Sequence, residues 1–122
     1  MNLRILPSAL LVGALSVVAG QSRAQQRAIG DTAAASKVGQ IVTIEGTVAN
    51  VTVLRTGTTF LNFGSAYPNE TFTAVVFRSA STRFPNPQQW EGKRVRVTGK
   101  VQLYRGKPEI ILNDPSQLAA VP

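Results

Sequence analysis

The sequence contains no cysteine and no histidine. The first absence removes disulfides, thiolate metal sites and thiol redox chemistry. The second removes imidazole acid–base catalysis, histidine-based triads and the commonest zinc ligand. Carboxylates are also scarce, six in 122 residues. Asp31, Glu45, Glu70, Glu91, Glu109 and Asp114 show no metal-ligand spacing, whereas a metal-dependent nuclease needs clustered carboxylates. The residue set points away from an enzyme, and no metal or cofactor is expected. The one long apolar run, residues 5–20, is shorter than the roughly 20 residues that cross a bilayer.

That run reads instead as a secretory leader over residues 1–24. Arg4 supplies a basic start, and Ser22 and Ala24 put small residues at the two positions a signal peptidase inspects. Cleavage after Ala24 predicts a periplasmic or secreted protein, with no membrane span once the leader is gone. A single domain's length then remains, to be stabilised by packing alone. The chain carries 13 basic residues and a formal net charge of +7, two of the cations lying in the leader. Such an excess favours polyanionic partners through counterion release, although a charge of this order is also common in soluble domains.

Residues 25–37 are small and polar, with Ile29 the one bulky apolar side chain, and read as a flexible tether. The domain is predicted over residues 38–118, with a tail at 119–122. In residues 41–48, Val42, Ile44 and Val48 alternate with Thr43, Glu45 and Thr47, the period of a half-buried strand. Gly46 interrupts that row, as a bend in a curved sheet does. Residues 59–63 form a second strand with Leu61 and Phe63 inward. In residues 72–77 alternation fails, so both faces are expected to be covered. A helical turn is predicted over residues 87–90, with Asn86 as its N-cap and Pro87 at its first position. The fourth strand spans residues 94–104, with Val95, Val97, Val101 and Leu103 inward. A tight turn then leads into the fifth at residues 109–112.

Five strands with a short helical element between the third and fourth predict an all-β Greek-key barrel of the OB type. The details sharpen this. Gly92-Lys93-x-Val95-x-Val97-x-Gly99-x-Val101 is followed by Tyr104-x-Gly106-x-Pro108-x-Ile110-x-Leu112, and earlier comes Phe60-Leu61-Asn62-Phe63-Gly64 with Tyr67-Pro68. These segments resemble bacterial OB modules of the anticodon-binding type and the OB modules found beside nuclease domains in exported nucleases. The resemblance covers most of the chain after the leader. It implies the fold and a nucleic-acid ligand, single-stranded DNA or RNA, and, from the modules beside nuclease domains, a protein partner such as a nuclease.

Two turns flank the groove of such a barrel, Arg55-Thr56-Gly57-Thr58 and Tyr104-Arg105-Gly106-Lys107. With Leu61 and Phe63 inward, Phe60 and Asn62 face the groove, and Tyr67 sits in the next loop. Single strands are held by aromatic faces on bases and cations along phosphates. The candidate nucleic-acid-binding residues are therefore Arg55, Thr58, Phe60, Asn62, Tyr67, Tyr104, Arg105 and Lys107. Other readings stay open: Phe60 covered by the Tyr67 loop, Tyr104 closing the barrel end, the cations as ordinary loop charges. Arg94, Arg96 and Lys100 form a basic row on the fourth strand, read as protection against edge pairing. The alternative function is a periplasmic protein-, peptide- or glycan-binding module with a stress or accessory role.

Overall fold

A computed structural model describes residues 27–122; the leader expected over residues 1–24 lies outside the described residues. The organising element is β2 (Ile41–Val53), preceded by β1 (Ala28–Gly30). One half of β2 pairs antiparallel with β5 (Arg94–Lys100), the other with β3 (Thr59–Phe63), and the register shifts between Val48 and Asn50. Gly46 stands just before this hand-over. A Cβ there would come within 3.0 Å of both the Phe63 ring and the Asp31 carboxylate, so the close crossing requires glycine.

From β3 the chain returns as β4 (Phe72–Val76), all five residues of which are buried. Both faces of this strand are covered, as its broken alternation predicts. β4 pairs in parallel with β7 (Lys107–Ile111), and β7 takes β6 (Gln102–Tyr104) on its other side. β8 (Leu118–Ala120) pairs with β5. Thus among the described residues the sheet has eight strands rather than five, in the order β6-β7-β4-β3-β2-β5-β8 with β1 on β2, and hydrogen bonding among them does not close it into a barrel.

Three local causes account for the difference. The run expected as one fourth strand breaks at Val101, whose N–H donates to Gln40 O while its carbonyl accepts from Gly39 N. Beyond that point the chain leaves β2 for β7, and Leu103, expected inward, is 53% exposed. The expected tail is partly recruited as β8. Residues 28–37, expected to be a tether, form β1 and a 3-10 helix, Asp31–Lys37, that buries Ala34 completely. Alanines lie close against a core without giving a bulky periodic signal.

A further 3-10 helix, Arg78–Arg83, was not expected, whereas Pro87–Trp90 is helical as predicted. Asn86 precedes it in a left-handed conformation, φ 53°, but its side chain caps nothing. Phe63 and Phe72 meet edge-on at the core's centre, with ring centroids 5.1 Å apart. Ile44, Leu61, Val97 and Ile110 surround them, fully or almost fully buried. No helix among the described residues is long and apolar enough to cross a membrane.

Candidate functional site

Outward positions of β3 and β4 and the turns at their ends enclose a groove of about 710 Å³. Because Leu61 and Phe63 are committed to the core, Phe60 and Asn62 necessarily face the other way, and Thr73 lies opposite Asn62 on β4. Asn62 is 3% exposed and fully engaged: its amide donates to Asn50 Oδ1 at 2.9 Å and its carbonyl accepts from Thr73 Oγ1 at 3.3 Å. Asn62 is thus a floor residue that holds β2, β3 and β4 in register.

One wall is the β6–β7 hairpin. Tyr104 pairs with Lys107 across a two-residue turn, Arg105-Gly106, with φ of 51° and 80°. Positive φ at both positions is the signature of the primed hairpin turn that matches strand twist. This geometry lays the Arg105 guanidinium over the Tyr104 ring, 5.2 Å from its centroid. Joined to the base of this hairpin through Lys107 is the loop between β3 and β4, which contributes Tyr67, Pro68 and Glu70; Thr52 and Leu54 of β2 and its exit also line the groove.

Of the eight predicted contacts, Phe60, Asn62, Tyr67, Tyr104, Arg105 and Lys107 line this one groove. Arg55 and Thr58 do not line it. They lie in the neighbouring β2–β3 turn, closed by Leu54 N to Thr58 O at 2.8 Å. Arg78, missed in the sequence, lays its aliphatic stem against Gly57 of this turn and adds a second cation there.

Electrostatically the groove is more balanced than the sequence suggests. Lys107 Nζ donates to Glu70 Oε1 at 2.8 Å and to the Pro68 carbonyl, and the Glu70 side chain is only 7% exposed. Glu109, read in the sequence merely as the start of a strand, lines the groove at 7% exposure and accepts from Gln102 Nε2 at 2.8 Å. Its burial follows from the β4–β7 register, which sets it opposite Thr73. Glu70 thus pairs with Lys107, and Glu109 adds a second negative charge to the groove without pairing with Arg105.

The basic row lies elsewhere. Arg94 and Arg96 donate to the two oxygens of Glu45 at 2.9 and 2.8 Å, across the β2–β5 pair. The Arg96 hydrogen bond, and then that of Arg94, hold the Glu45 carboxyl below the ordinary carboxylate range. Among the described residues no three His, Cys, Asp or Glu side chains gather as they would around a metal ion.

No protein-family model and no curated protein sequence matches the chain. Solved structures do. The asparaginyl-tRNA synthetase of Entamoeba histolytica aligns at 18% identity and TM-score 0.53 over 80% of this chain and 23% of that one. Its complex with asparaginyl-adenylate aligns at 15% and 0.51, over 80% and 24%. A protein assigned as an aspartyl-tRNA synthetase from Leishmania major Friedlin aligns at 10% and 0.53, over 80% and 21%. The chain therefore spans less than a quarter of the length of these structures, and at such identities the likeness is one of fold: an OB-like, all-β module.

Proposed function

We propose that this chain is a non-enzymatic, exported OB module that binds single-stranded nucleic acid with little sequence preference. The observation that carries the reading is the gathering of Phe60, Tyr67 and Tyr104 on one groove beside Arg105, a cation with no carboxylate partner among the described residues. Aromatic faces accept any base, because every base has a π-face, and an arginine held over a tyrosine remains free to meet a phosphate. Arg55 and Arg78 at the neighbouring turn extend the cationic track beyond the groove. The likeness to portions of tRNA synthetases is in keeping with such a ligand.

A second reading has its own support. Leu54, Pro68 and Pro108 add apolar wall, and Glu70 and Glu109 balance the cations, a lining that also suits a peptide. Fluorescence anisotropy with a labelled single strand of about 12 nucleotides separates the two. Phe60→Ala or Tyr104→Ala should each cost roughly 1–3 kcal/mol of binding. Absence of binding at low salt would transfer the groove to the peptide, protein or glycan reading.

A further inference from the structure

We propose that Lys107, with Glu70, is a positioning residue that holds Tyr67 upright as a third stacking face, and is not itself a phosphate contact. The inference rests on the nucleic-acid reading above for the groove's use, but its geometry stands in the free protein. Tyr67 is the most exposed large apolar side chain among the described residues, at 73%. Tyr67 and Pro68 form the middle of a turn that Asn69 N closes onto Ala66 O at 2.9 Å, which sets the backbone and leaves the exposed ring to be held by something else. Lys107 Nζ supplies this: it donates to Glu70 Oε1 and to the carbonyl of Pro68, and lies 5.9 Å from the centroid of the Tyr67 ring. The ammonium therefore clamps both the residue after Tyr67 and the end of the loop, and attracts the adjacent ring face.

Asymmetric burial keeps the lysine in that role. Its own side chain is 41% exposed, whereas that of Glu70 is 7% exposed. Were Lys107 to turn to a phosphate, the Glu70 carboxylate, with little access to water, would lose its counter-ion, which costs more than parting two exposed charges. Arg105 bears no such obligation, so the phosphate falls to it.

The test compares wild type, Glu70→Gln, Lys107→Met, the double variant and Lys107→Arg, using labelled deoxythymidine oligomers of roughly 4 to 12 nucleotides in a salt series. If the pair positions Tyr67, Glu70→Gln and Lys107→Met weaken the longest oligomer by about fivefold or more, the loss of one stacked base. The shortest oligomers lose little, the salt slope stays at its wild-type value, and Lys107→Arg restores binding. The double variant, with no buried charge left unpaired, folds and behaves like the single ones. If Lys107 is instead a masked phosphate contact, Glu70→Gln tightens binding and steepens the slope by about 0.7, which overturns the proposal. A ligand-free arm separates this from failure of the functional reading. Nuclear Overhauser contacts between the Tyr67 ring and the Lys107 ε-protons should be present in wild type and lost in Glu70→Gln. Their absence in wild type overturns the inference whether or not a strand binds.

Discussion

The charge balance of the groove predicts a shallow salt dependence, despite a formal net charge of +7. Arg94 and Arg96 are held by Glu45, and Lys107 by Glu70. Among the described residues, the cations at the groove and its adjoining turn that lack an ion pair are Arg105, Arg55 and Arg78. At roughly 0.7 per phosphate contact on a single strand, the slope of log affinity against log salt should be about −2 at its steepest. Arg105→Gln should flatten it by about 0.7, and so should Arg55→Gln if the strand reaches that turn. Arg94→Gln with Arg96→Gln should leave it unchanged, because those side chains neither line the groove nor lack a counter-ion. The assay is anisotropy with one labelled strand over about a tenfold range of salt, fitted for each variant. A slope of about −4 or steeper, or equal changes from the β5 and groove variants, would refute the reasoning. Binding would then be diffuse attraction to the whole basic surface, with the groove irrelevant to it.

Three further outcomes are expected. At Gly99 an added Cβ would lie 2.6 Å from Ile110 Cγ2, against a fully buried side chain, so Gly99→Ala should destabilise by about 1–3 kcal/mol. Calorimetry should show Tm falling by about 4–8 °C per kcal/mol, and an unchanged Tm would mean that the strand does not approach β7 as described. The Glu45 carboxyl, hydrogen-bonded by Arg96 and Arg94, takes up its proton at lower pH than in the unfolded chain; its stabilisation is present above the ordinary value of 4.5 and is lost as pH falls below that. Asp114, held down by hydrogen bonds from Ser116, acts in the same direction. Urea midpoints across the acid range should therefore fall less steeply for Glu45→Gln than for wild type. Finally, intact-mass analysis of the exported product should give a chain beginning at Gln25, and a mass retaining residues 1–24 would reject the leader.

What the sequence made legible and what it hid divide along one physical line. The Thr59–Phe63 strand was readable because alternating side chains report directly which face meets the core, and once Leu61 and Phe63 are inward the groove side of Phe60 and Asn62 follows. The break at Val101 was not readable. Valine and leucine continue the pattern through it, and the break is marked by hydrogen bonds to residues 39 and 40, in the turn that leads into β2. The helix around Ala34 was hidden for a related reason, since a small side chain can be wholly buried without contributing to any period.

The groove's charge was hidden most completely, and topology explains why. Glu70 and Lys107 stand 37 positions apart, and nothing in the loop of the one or the basic turn of the other announces that they pair. Parallel pairing of β4 with β7 sets Thr73 beside Glu109, and the same register, followed back toward the start of both strands, brings the end of the Tyr67 loop to the start of β7. One crossover therefore does two things at once: it sinks Glu109 into the groove and gives Lys107 a carboxylate partner. A loop that looked basic in the sequence is left with one cation, Arg105, that has no ion pair among the described residues and lies over Tyr104. If a single strand binds here, stacking must then carry more of its affinity than charge does, and the aromatic substitutions should outweigh any single neutralisation.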